Sequence, residues 1–300
     1  MPIYESDPWR EQYFDSTVCP DSVHIPTDDS MACRFNPLHR WVYNKLWVAK
    51  SQGLECGPQA ISPSHYPVFS KPVTNLKGMG LGSRVLCNER DYREHCRPGD
   101  FWMRRLAGEH VSTDWAIVNG EPRWCRHTLG IAGALGTFDF WIVQARSRPG
   151  LEKYCGDWIR RNLRNYTGML NIETIGGQII EVHLRFADQW PDLYGRHWVA
   201  ATVRLYQDRV WSFSETARKD GYSVVLFGPH GRRYPYPSAA TLAAYRATSG
   251  VSSVQITFFA DRPLTAHAMP PGGFRLAVIN CSKVDIGLRL RATMSRAFGL

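Results

Sequence analysis

The stretch NIETIGGQIIEVHLR at residues 171–185 constrains this chain more than any other. Gly176-Gly177 tolerates the positive φ angles that a two-residue hairpin turn needs, so its flanks are expected to pair as antiparallel strands. Residues two apart on a strand share a face, which aligns Glu181, His183 and Arg185. Pairing across the turn brings Glu173 beside Glu181. Two carboxylates and an imidazole side by side repel one another unless a cation sits between them. From this stretch alone two readings stay open, a metal site and a hairpin whose charged face is merely solvated.

The bulk properties narrow the setting. A chain of 300 residues can build two or three lobes with cores of their own. With 44% hydrophobic and 21% charged residues it reads as an ordinary soluble globular protein. No apolar run approaches the roughly 18 residues of a membrane span. The start, MPIYESDPWREQYFD, lacks the basic and apolar regions of a secretion signal, so a cytoplasmic protein with no membrane partner is expected. The cysteines (19, 33, 56, 87, 96, 125, 155 and 281) include no CxxC pair. That scatter fits neither a zinc ribbon nor a disulfide-knit secreted domain and points to reduced thiols.

A net charge of +9 raises the question of nucleic acid. The basic residues are dispersed, however, and the longest cluster, WIRRNLR at 158–164, has Trp158, Ile159 and Leu163 at helical spacing. That pattern predicts a helix that buries its apolar stripe and leaves its arginines in solvent. No nucleic-acid partner is expected. Positive charge also suits a small polyanion such as a nucleotide.

Along the chain, Pro2, Pro8, Pro20 and Pro26 predict an irregular segment over 1–35. A helix is expected over 36–53, with Asn36 as cap, Pro37 at its first position and Gly53 at its end. Strands follow at 66–73 and 84–87, joined by the loop TNLKGMGLGS. A short helix stopped by Pro98-Gly99 and a strand at 100–106 come next. Asn119-Gly120 marks a second hairpin, and 138–145 reads as a strand. A helix over 149–164 leads into the opening hairpin, and another is expected over 191–206. After residue 210 the pattern suggests a separate β-α-β-β-α lobe.

Four features could carry chemistry. Lys71 lies inside the apolar strand YPVFSKPV, which is costly unless its amine reaches water or an anion. Gly78, Gly80 and Gly82, followed by Ser83, form a loop whose backbone N–H groups can surround phosphates. No GK[ST] follows it, so it is not a Walker loop. Glu109 stands where a strand ends in MRRLAGEH. Glu173 and Glu181 on paired strands suit Mg²⁺, which takes carboxylate and phosphate oxygens. The chain has no HExxH, GxSxG or paired Cys/His spacing.

In this order the features resemble the ATP-grasp enzymes from about residue 36 to 207. YNKLWVAKSQGLECGP is similar to the family's entry segment, PVFSKPV…GMGLGS to its lysine strand and glycine loop, RRLAGEH to its hinge and G-x-E, and NIE…IIEVHLR to its metal hairpin. The resemblance implies an α+β fold and a two-lobe nucleotide clamp over 36–209 with its glycine-loop lobe at 66–106; the extra lobe at 210–300 lies outside the resemblance. It implies that Lys45 and Lys71 contact the phosphates of ATP while Gly78, Gly80, Gly82 and Ser83 cover them. Met103, Arg104 and Leu106 would line the adenine pocket and Glu109 would hold the ribose.

Glu173 and Glu181, with His183 as a third ligand, would carry Mg²⁺ or Mn²⁺. Arg185 and Lys71 would serve catalysis, and Arg126 and Arg123 are further candidates for holding a substrate carboxylate. His183 stands where the family has an asparagine, Leu184 where proline is common, and Asn171 where ligases of the D-alanine–D-alanine type carry an arginine. The implied activity is an ATP-dependent ligase (EC 6.3-type) that activates a carboxylate as an acyl phosphate for an amine or another nucleophile. The alternatives are a phosphotransferase of the same fold and a degenerate nucleotide-binding regulator.

Overall fold

A computed structural model describes residues 3–5, 7–215 and 218–300, so Pro2 lies outside the described residues. The chain divides into two compact units, one of residues 26–125 and 148–186, the other of 1–25, 126–147 and 187–300.

In the first unit, four strands hydrogen-bond in the order Cys56–Pro58, Asp100–Arg104, Val68–Pro72, Arg84–Leu86. This small sheet carries Lys71, whose Cα partner is Phe101. A second set runs Gln178–His183, Gly168–Ile175, His110–Val118 and then Glu121–Ala132, whose residues through Cys125 belong to this unit. The Asn119-Gly120 turn forms as expected, with φ of 52° and 79°. One face of these strands is apolar. Trp115, Ile117, Leu170, Ile172 and Val182 join Trp158, Ile159 and Leu163 in one buried cluster. The last three come from the expected helix and its end, observed as Pro149–Asn162, and Arg160 and Arg161 on it are exposed. At about 25 cal/mol per Å² of apolar area, burying that stripe is the main stabilising contribution to the helix.

The helix expected over 36–53 does not form as one piece. Asn36 instead ends a helix, Asp29–Phe35, whose N-cap Asp28 accepts from the Met31 N–H. A 3₁₀ turn at Arg40–Tyr43 and a short helix at Lys45–Lys50 follow, and Asn44 caps the latter through the Trp47 N–H. Two asparagines in the run could each start or stop a helix, and the second one does the capping. The segment read as irregular therefore holds a helix. The strand expected at 100–106 ends at Arg104.

In the other unit the strands Phe138–Val143, Gly221–Gly228, Phe274–Cys281 and Val251–Ile256 hydrogen-bond in that order. Residues 210–300 share this unit with 126–147 and 187–209 because Gly221–Gly228 pairs with Phe138–Val143. Helices Ala239–Arg246 and Val284–Ala297 flank them. The helix expected over 191–206 is a 3₁₀ turn at Pro191–Leu193 followed by Trp198–Asp208, interrupted by Gly195 and by His197 at φ 72°. Tyr13 anchors the N-terminal segment here, with its hydroxyl 3.0 Å from Ser253 Oγ and accepting from Asn280 Nδ2 at 3.2 Å. Among the described residues no helix is long and apolar enough to cross a membrane.

Candidate active site

The site lies within the first unit and starts from the opening hairpin. Glu173 and Glu181 are Cα partners, as are Asn171 and His183, and a bulge between Glu173 and Thr174 lets the register shift toward the turn. Gly176 and Gly177 have φ of 56° and 81°. Gly176 is needed twice over, since a Cβ there would sit 2.2 Å from the Ala107 carbonyl oxygen.

Two lysines converge on this hairpin. Lys45, 7% exposed, donates to Glu181 Oε1 at 2.6 Å. Lys71, 3% exposed, donates to the Ile180 carbonyl at 2.9 Å and stands 3.8 Å from Glu181 Oε1. Burial lowers the Lys71 pKa to about 8, with Glu181 acting against it and Lys45 with it. Both amines thus face Glu181 in the protein without ligand.

His183 is neither solvated nor turned to the backbone. Its Nδ1 lies 3.0 Å from both carboxylate oxygens of Asp29. Its buried Nε2 has no hydrogen-bond partner and faces Glu173 Oε1 and Glu181 Oε2 at 3.6 Å each. Burial would lower the His183 pKa, but Asp29 outweighs it and Arg185, raising it to about 9. Burial would likewise raise Glu173, yet His110, 2.9 Å from Glu173 Oε2, and His183 hold it well below the carboxylate range. Two carboxylate oxygens and an imidazole nitrogen are a donor set suited to a divalent cation. Glu181 is paired with Lys45 and Glu173 with His110, so binding an ion requires the two carboxylates to exchange these partners for it. Glu173, Glu181 and His183 would hold the metal.

Arg185 does not reach into open space. Its Nε and Nη2 grip Asp29 Oδ1 and Oδ2 at 3.0 Å each. Burial would raise Asp29, but Arg185 and His183 keep it below the usual carboxylate range. Asp29 is the residue that sequence reasoning missed, whereas His110, read in sequence as a satisfied or surface histidine and not a ligand, is bonded to Glu173. For Asp29 the only local sign was the DD pair before SMACRF, a helix-start pattern that says nothing of a partner far along the chain.

The remaining candidates are placed as follows. Gly78, Gly80, Gly82 and the intervening Met79 all have positive φ, from 60° to 77°. They lie with Ser83 in the loop between the strands Val68–Pro72 and Arg84–Leu86. Asn75 Nδ2 donates to the Gly78 carbonyl at 2.9 Å and the Ser83 N–H to Gly80 at 3.1 Å, which shapes the loop from within. Met103 is buried with Ala49 and Phe101, Leu106 packs against them, and Arg104 is exposed. Glu109 accepts from Arg148 Nη1 at 2.6 Å, beside a cavity of about 310 Å³ lined also by Val111, Leu151, Thr174 and Gly176. In the other unit Arg126 is buried, bonded to Glu215 and to the Lys219 carbonyl. Arg123 is exposed. The oxygens of Glu5, Asp7 and Asp188 also cluster in that unit, where Arg10 pairs with Asp7 and Asp188.

No family model matches the chain, and no curated protein matches it in sequence. Among solved structures it is similar to an L-amino acid ligase from Bacillus licheniformis, with TM-score 0.61 and 12% identity over 96% of this chain and 82% of that one. It is similar to a phosphoribosylamine–glycine ligase from Thermotoga maritima, with TM-score 0.62 and 13% identity over 96% and 85%. An N5-carboxyaminoimidazole ribonucleotide synthetase from Thermus thermophilus gives TM-score 0.59 and 15% identity over 87% and 73%. These likenesses show that the chain shares the fold of these ligases and synthetases.

Proposed function

We propose that this chain is an ATP-grasp enzyme, an ATP-dependent ligase that activates a carboxylate as an acyl phosphate for an amine or another nucleophile. The observation that carries the reading is the convergence of Lys45, Lys71, Glu173, Glu181 and His183 within one unit that also holds the glycine loop. Three solved structures of similar fold are named as ligases or synthetases, and a further one is described as a complex with ATP.

In this reading Lys45 and Lys71 leave Glu181 for the phosphates of ATP, and the N–H groups of residues 78–83 close over them. Met103, Arg104 and Leu106 border the base, and Glu109 exchanges Arg148 for the ribose. A divalent ion, Mg²⁺ or Mn²⁺, would neutralise charge on the transferred phosphoryl group when bound. Phosphoryl transfer needs little covalent help from the protein, so positioning and charge stabilisation carry it. Arg185, held by Asp29 and donating from Nη1 to the Phe186 carbonyl at 3.1 Å, exchanges that carbonyl for the substrate carboxylate.

The test is product analysis with ATP, Mg²⁺ and panels of carboxylic acids and amines. A ligase releases phosphate only when acid and nucleophile are both present. Phosphate found on a substrate hydroxyl would make the chain a phosphotransferase, and nucleotide binding without turnover on any panel would make it a regulator.

A further inference from the structure

The Asp29 carboxylate, 4% exposed, accepts from three groups. His183 Nδ1 is at 3.0 Å, the Arg185 fork places Nε and Nη2 at 3.0 Å each, and the Tyr43 hydroxyl is at 3.3 Å. A carboxylate gripped by an arginine fork is ionised and can only accept. The ring nitrogen of His183 that faces it therefore carries a proton. The other ring nitrogen is the buried, unpartnered Nε2, aimed between Glu173 and Glu181.

We infer, resting on the reading of Glu173 and Glu181 as metal ligands, that Asp29 is a positioning residue that keeps the proton on His183 Nδ1 and aims Nε2, which releases its own proton to solvent when the ion binds, at the cation as a third ligand. Histidines that bind metals commonly donate their other ring N–H to a carboxylate, which sets the tautomer and ring orientation and strengthens the donor nitrogen. The outcome is a site of two carboxylates and one nitrogen. Such a set takes Mn²⁺ or Zn²⁺ more tightly than Mg²⁺, which prefers oxygen. Asp29 also holds Arg185, two residues past His183 and beyond the end of the strand, so one carboxylate orients both the third ligand and the neighbouring guanidinium. Tyr43 completes the arrangement by accepting the Leu184 N–H at 3.2 Å, which fixes the backbone between His183 and Arg185.

The experiment uses the full chain with Mn²⁺ alone, followed by loss of the free-ion paramagnetic resonance signal, and Zn²⁺ alone, followed by ¹⁵N shifts of the His183 ring. Wild type is expected to bind Mn²⁺ more tightly than Mg²⁺, and Zn²⁺ is expected to shift Nε2 while Nδ1 stays protonated. Asp29→Asn should weaken Mn²⁺ binding about 10- to 100-fold. In a His183→Asn background the same change should add nothing. A Zn²⁺-loaded wild type whose Nδ1 is the shifted nitrogen, or whose His183 does not shift at all, overturns the inference even if Asp29→Asn fails to fold. If Glu181→Gln abolishes Mn²⁺ binding while Asp29→Asn leaves it intact, the inference fails and the metal site stands. If Glu173→Gln and Glu181→Gln both leave Mn²⁺ binding unchanged, the underlying reading fails instead.

Discussion

Lys45 Nζ lies 2.6 Å from Glu181 Oε1, with both side chains largely buried. The carboxylate expected to repel Glu173 in the ligand-free protein is instead neutralised by a lysine. Glu181→Gln should therefore lose stability without ligand, in addition to losing turnover. A charge-assisted hydrogen bond contributes roughly 1.5–3 kcal/mol, and the variant should fall within that range by urea denaturation. An unchanged or raised midpoint would show that the pair contributes nothing to the fold.

Lys71→Ala should weaken ATP binding about 10- to 100-fold, the equivalent of one charge-assisted contact to phosphate. With a pKa of about 8, Lys71 is partly uncharged in mildly alkaline solution, and phosphate favours its charged form. ATP binding at pH 8.5 should take up protons, visible as a calorimetric enthalpy that varies with the buffer's ionisation heat. Lys71→Met should remove that dependence. Equal proton uptake in both proteins would place Lys71 outside the phosphate site.

Metal-free protein should respond to alkali through His183. Its pKa is raised from 6.5 to about 9 by Asp29, so the folded state holds the extra proton more tightly than the unfolded chain. That stabilisation is fully present below pH 6.5 and is lost as pH rises through about 9. Denaturation in chelator across pH 6–10 should show the decline, and Asp29→Asn should flatten it. A wild-type profile already flat over that window would contradict the assignment.

The hairpin turn separates two glycines that look alike in sequence. Gly176→Ala meets both the left-handed backbone and the Ala107 oxygen, whereas a Cβ at Gly177 has nothing within 4 Å. Gly177→Ala should lose about 1 kcal/mol from backbone strain alone, and Gly176→Ala clearly more. Equal midpoints in urea would mean that residues 107–108 move aside freely.

What was legible in the sequence were contacts set by local rules. A Gly-Gly turn and a period of two were enough to put Glu173 opposite Glu181. The stripe of Trp158, Ile159 and Leu163 sufficed to orient its helix. Asp29 was illegible because its role comes from partners 154 and 156 residues away. Lys45 was placed near the site by resemblance, but not its contact with Glu181. The break of the expected 36–53 helix turned on which asparagine side chain reaches a backbone N–H, a choice between local structures of similar energy.

The separation between Asp29 and its partners also orders events in time. A chain emerging from its N-terminus makes Asp29 about 150 residues before His183 exists, and domains fold largely as they are completed. During that interval the helix Asp29–Phe35 has no imidazole or guanidinium to bind and, at seven residues, is too short to persist alone. Closing so long a loop is slow relative to local hairpin formation. The helix that carries Asp29 and the segment that carries His183 and Arg185 should therefore order together, after the hairpin has formed, and the contact between them should lag behind the appearance of secondary structure during refolding.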